Sequence, residues 1–163
     1  MKMIMRRPKR EIKDVNEICK VIDECRVCRL GLNDKGNVYI VPMNFGYTCE
    51  DGKLTFYLHS AKVGRKIEVL KENPDVCVEL DCRHGLMSSD KPCGHSYYFA
   101  SLIGNGKACL EEDAGEKLRA LKIIMKHQTG EEFDNYDEKW VNAVAVIKVE
   151  LDAYTCKHND GSN

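Results

Sequence analysis

The sequence predicts an α+β fold, mainly antiparallel, with helices flanking an antiparallel sheet or small barrel. Two observations carry this: segments of period-two alternation divided by Gly- and Asn/Asp-rich turns, and helical stripes preceded by capping signals. Helices and strands also follow one another in irregular order, unlike a regular βαβ chain. The 163 residues suit one domain. At that length a chain buries roughly two thirds of its unfolded surface, so a core forms without disulfide or metal staples.

The first stripe runs from Glu11 to Cys25, with Ile12, Val15, Ile18, Cys19, Ile22 and Cys25 on one face. Asp14 followed by Glu17 has capping-box spacing. From Val27 the period changes to alternation through Leu32, and the cluster Asn33–Asn37 leads into Val38–Pro42, which reads as a hairpin. A second turn at Glu50–Lys53 separates Asn44–Tyr47 from a strand at Leu54–Leu58. Pro42 lacks an amide hydrogen, so its strand is expected at an edge or bulge.

Val63, Ile67 and Leu70 mark a second helix that Asn73-Pro74 ends, and Val76–Leu80 is the next strand. Arg83–Gly94 reads as irregular, and Tyr97–Leu110 as a strand with a bulge or turn at Gly104-Asn105-Gly106. Asp113 and Glu116 repeat the capping spacing before a helix with Leu118, Leu121, Ile124 and Met125 on one face and Gly130 beyond its end. The final strand, Ala143–Leu151, alternates cleanly, and Trp140 before it reads as a core or dimer anchor. Residues 1–10 form a basic arm, 11–157 the domain and 158–163 a tail.

Lys plus Arg number 25 against 26 Asp plus Glu, a formal charge of −1, which argues against general electrostatic binding of nucleic acid. No apolar run approaches the roughly 18 residues needed to cross a membrane, and basic residues interrupt the first ten. The expected location is the cytoplasm. Nine cysteines, an odd number spread from Cys19 to Cys156, fit a reducing compartment better than a disulfide scaffold.

Chemistry concentrates in Leu58–Lys66, which joins a strand end, a hydroxyl placed to cap (Ser60), a glycine near the helix start (Gly64) and the basic pair Arg65-Lys66. Free amides at a helix start and adjacent cations suit a phosphate monoester. The same residues also suit a capped surface helix. His59, at the strand-to-helix junction, could donate a hydrogen bond or proton to a reducible ligand.

The succession Tyr39–Tyr47, Phe56–Ala61, Gly64–Lys66, Asn73-Pro74 and Ser101–Ala108 resembles the pyridoxamine 5′-phosphate oxidase-like flavoproteins, within them the nitroimidazole-resistance branch. The resemblance implies an FMN-binding split β-barrel that dimerises and holds FMN between subunits. It further implies that Pro42, Met43 and Asn44 pass the flavin ring, that His59 and Ser60 line the site, and that Arg65 and Lys66 hold the phosphate. Ser101 would approach from a neighbouring strand, and His59 is the catalytic candidate. True pyridoxamine phosphate oxidases carry an Arg- and His-bearing C-terminal segment, whereas here no Arg follows Arg119. Reduction of a small electron-poor compound is the closer analogy.

Rival readings are a flavin- or haem-binding module without turnover, and a zinc-stabilised interaction domain. The last would use Cys25 and Cys28 with Cys82-Arg83-His84 and Cys93-Gly94-His95. Against it, Cys25 closes a helix and Cys28 opens a strand, as small buried apolar residues do, so no metal is expected.

Overall fold

A computed structural model describes residues 5–162. Helix α1, Val15–Glu24, starts where the Asp14 carboxylate accepts the Glu17 amide at 3.0 Å, and it buries Ile18, Val21 and Ile22. Glu11 and Ile12, predicted as helix, instead form a short strand β1. Asp14 is extended, as a cap residue must be, so the apolar stripe extends past the helix start.

Strands β2 (Val27–Asp34), β3 (Asn37–Glu50) and β4 (Lys53–Ala61) are joined by two tight turns. Lys35 and Gly36 in the first, and Asp51 and Gly52 in the second, all take positive φ, the conformation that matches strand twist across a two-residue hairpin. Helix α2 (Arg65–Glu72), strands β5 (Asp75–Met87) and β6 (Ser96–Glu111), helices α3 (Ala114–Thr129) and α4 (Glu138–Ala143) and strand β7 (Val144–Asn159) follow.

The sheet runs β7-β4-β3-β2-β5-β6, and β6 pairs again with β7, so six antiparallel strands close into a barrel with β1 added to β7. Its interior is apolar: Cys28, Leu30, Phe45, Phe56, Leu58, Val78, Leu80, Leu102, Ile147 and Val149 are almost fully buried. Side chains of α1 and α2, including Ile22 and Ile67, join this core. α3 packs outside, placing Ala120 and Ile124 against Tyr57 and Val146. Its backbone comes so near β3 that a Cβ on Gly46 would lie 2.6 Å from the Ile123 carbonyl oxygen.

Four further local features differ from the sequence reading. β5 continues to Met87 beyond an irregularity between Cys82 and Gly85, where Arg83 takes a φ of 60° while its guanidinium clasps Glu24 at 2.6–3.1 Å. That long-range ion pair is invisible in a Gly- and Ser-rich local pattern. β7 reaches Asn159, whose amide donates to the Tyr97 carbonyl at 2.6 Å, so residues 158 and 159, assigned to the tail, belong to the sheet. α4 was not foreseen, and Trp140 on it is 74% exposed rather than part of the core. Ser60 does not cap α2: β4 runs past it, its hydroxyl donates to the Ala61 carbonyl, and the cap position is Gly64.

The expected bulge is present. Between Asn105 and Gly106 the β6–β7 register slips, and a Cβ on Gly106 would sit 2.0 Å from the Glu150 carbonyl oxygen, so only glycine fits. Among the described residues no helix is long and apolar enough to cross a membrane.

Candidate functional site

One strand serves two partners. β3 pairs with β2 over residues 37–44 and with β4 only from Phe45↔Leu58 onward. β4 in turn continues beyond Leu58 on β7 alone, through His59↔Val146, Ser60↔Ala145 and Ala61↔Val144. Between the first half of β3 and the end of β4 the ladder therefore opens into a gap with a free backbone edge on each side. Pro42 lies on that edge. Its strand is interior to the sheet as a whole, but the half that carries Pro42 is unpaired on this side, which reconciles the proline with a barrel.

Alternation fixes where the side chains go. Met43 points inward and is buried, while Pro42, Asn44 and His59 are exposed on the outer face that α3 partly covers. Asn44 is held in place: its amide donates to the Arg26 carbonyl at 3.0 Å and to Gln128 Oε1 at 3.1 Å. Gln128 itself donates to the carbonyls of Arg26 at 3.0 Å and Phe45 at 2.8 Å. Gln128 escaped the sequence reading, and only its position in the last turn of α3, 84 residues from Asn44, hints at a role.

His127 beside it stacks 4.5 Å from the Phe45 ring, and its Nε2 lies 2.8 Å from the Cys25 carbonyl. A carbonyl only accepts, so Nε2 carries the proton. Burial holds the His127 pKa below the ordinary histidine value.

At the other end of the gap stands α2. Gly64 precedes it with φ 126°, no side chain caps its first amides, and the amides of Ile67 and Glu68 both close on the Gly64 carbonyl. Such an uncapped start presents donors and the positive end of the helix dipole. Arg65 is already engaged: it contacts Asp34 at 2.8 Å and lies 4.2 Å over the Tyr39 ring. Lys66 is half-buried and has no ion-pair partner among the described residues.

The fold thus gathers Pro42, Met43, Asn44, His59, Ser60, Arg65 and Lys66 around one gap. Ser101 stands apart. It lies on β6 opposite Asp81, and β2 and β5 intervene between it and Pro42, about 14 Å at usual strand spacing as measured along the curved sheet. Asp81 there takes Arg29 and His84 as partners.

Cys25 and Cys28 behave as packing residues. Cys25 and Cys28 are buried, and burial pushes both thiols well above their ordinary pKa, Cys28 to about 12. His84 is turned to Asp81, Cys93 is exposed, and no cluster of three or more metal-ligating side chains occurs among the described residues.

Residues 14–158 match the family model described as pyridoxamine 5′-phosphate oxidase. The chain belongs to that family. A crystal structure titled "putative 5-nitroimidazole antibiotic resistance protein", from Bacteroides thetaiotaomicron, is 39% identical over 91% of this chain and 86% of its own, with a TM-score of 0.78. Two more distant structures share the fold at a TM-score of 0.79 each. The flavocytochrome Anf3 from Azotobacter vinelandii is 21% identical over 97% of this chain and 73% of its own. An FAD and haem binding protein from Mycobacterium smegmatis is 15% identical over 93% and 74%. No curated protein matches. Flavin binding is a property of the family, and the barrel seen here is its split barrel.

Proposed function

We propose that the chain binds FMN in the gap between β3 and β4 and acts as a flavin-dependent oxidoreductase on a small electron-poor compound, of which a nitroimidazole is the model. The observation that carries this reading is the end of the gap. An uncapped helix start and Lys66, a cation with no ion-pair partner among the described residues, meet there, and a phosphate monoester would satisfy both.

The residues present fit the group. The free strand edges offer amide and carbonyl groups to a polar ring, and the Asn44–Gln128 pair keeps one wall rigid. When bound, the flavin would supply the electron transfer. Lys66 neutralises the phosphate, and Arg65 shares its charge with Asp34 and contributes less. His59, exposed at the mouth, is the group able to pass a proton to a reduced ligand.

A second copy of the chain completes the site in this reading. The outer face of β3 exposes Val38 (82%) and Ile40 (59%), an apolar surface suited to a homodimer, and Ser101 reaches a flavin only from a partner. All nine cysteines are free, as the reducing cytoplasm would keep them.

An absorbance spectrum of freshly purified protein, with chromatography of what denaturation releases, tests the cofactor. A yellow protein yielding FMN supports the proposal, and a haem spectrum or a colourless protein that does not take up added FMN overturns it. Lys66→Ala should weaken FMN retention about tenfold or more without unfolding the barrel. Reoxidation of the reduced protein by a nitroimidazole under anaerobic conditions then tests turnover, and a flavin left reduced by every such acceptor refutes the enzymatic part.

A further inference from the structure

A cleft of about 630 Å³ runs along α3 where that helix faces the segment 132–134. None of the residues gathered at the gap lines it. The volume lies in the range of small-molecule sites. Leu118, Ile123 and Phe133 give it an apolar wall, and Arg119, Lys122 and Lys126 stand over that wall. These cations follow one another at helical spacings of three and four, so they form a single stripe spanning about 10 Å.

The partners that hold these cations are weak ones. Lys122 meets Asp134 at 3.0 Å and Lys126 meets Glu132, but those carboxylates are 97% and 75% exposed. Arg119 donates to the Tyr57 hydroxyl at 3.2 Å and reaches Glu116 only at 3.5 Å. Solvated surface pairs contribute little, because water competes for both ions. A phosphate brings more charge and more acceptor oxygens than one carboxylate, so it displaces Glu132 or Asp134 and keeps the same cations. A flat base would meanwhile cover the half-buried Leu118, Ile123 and Phe133 along the cleft.

We propose that this cleft is a nucleotide site, with the base against Leu118, Ile123 and Phe133 and the phosphates on Arg119, Lys122 and Lys126. The inference goes beyond the flavin reading and stands on the α3 cleft alone. A mononucleotide and a dinucleotide reductant share the chemistry, and the test separates them.

ATP, NADPH and inorganic pyrophosphate are titrated calorimetrically into protein saturated with FMN, or into the protein as isolated should it take no flavin. ATP or NADPH should bind, and more tightly than pyrophosphate. The double variant Lys122→Glu/Lys126→Glu should weaken that binding about tenfold, and added salt should weaken it too. Glu132→Gln/Asp134→Asn, which removes the competing carboxylates, should tighten it several-fold. The better of the two nucleotides names the source. The proposal is overturned by no binding of either nucleotide, by binding indifferent to both double variants, by ATP and NADPH binding no more tightly than pyrophosphate, or by displacement of FMN, which would put the probe in the gap instead.

Discussion

Gly46→Ala tests how tightly the wall of the gap depends on α3. The new methyl would lie 2.6 Å from the Ile123 carbonyl oxygen and 2.7 Å from both the Ile123 carbonyl carbon and the Ile124 Cα. All three are backbone atoms of a helix, so no side chain can swing aside. Ordinary contact begins at 3.4 Å, and α3 must therefore retreat by about 0.8 Å. Overpacking of this kind costs about 1–3 kcal/mol. The same retreat strains Gln128, whose bonds to Asn44 and the Phe45 carbonyl measure 3.1 and 2.8 Å. Guanidinium denaturation should show the loss of stability, and FMN titration of the folded variant should show weaker binding. A variant as stable as the parent and unchanged in FMN affinity would refute the claim that α3 is seated on β3 through this glycine.

Gln128→Ala leaves the Phe45 carbonyl without its partner and should cost about 1–2 kcal/mol in thermal or chemical denaturation, with faster FMN release. Asp14→Ala removes the α1 cap and should cost about 1 kcal/mol with no effect on the flavin; a change in FMN affinity there would argue against a purely local role. His127 gives a pH signature. Its folded pKa lies below the unfolded value near 6.5, so on acidification the unfolded chain takes up the proton first. Stability contributed by the neutral ring is complete above about pH 6.5 and falls as pH drops toward the folded pKa, and His127→Gln should flatten that part of the stability–pH curve.

Features set by neighbours in the chain were legible in the sequence. Asp14 with Glu17 and Asp113 with Glu116 bond as their spacing predicts, and Gly130 ends α3 in the left-handed conformation. Ser60 was misread for an equally local reason: a hydroxyl before a helical stripe looks like a cap unless one knows that β4 runs on to Ala61. The exchange of partners by β3 left no trace, because alternation stays the same whichever strand lies alongside. Pro42 was the one hint, since it marked an open edge without saying where. Gln128 was beyond reach because its bonds to Asn44 and Phe45 join α3 to β3 across the whole middle of the chain. Ser101 shows the converse limit, a motif position that β2 and β5 separate from Pro42 although both belong to the same motif set.

β7 has a consequence for biogenesis. It zips β4 to β6 along sixteen residues, yet it is the last of these strands to leave the ribosome. Until it emerges, the nascent sheet keeps two raw borders, on β4 and on β6, and sticky borders of that kind invite aggregation. Closure thus waits on the last of these strands, and premature stops a few codons upstream of β7 should yield inclusion bodies rather than a smaller soluble protein.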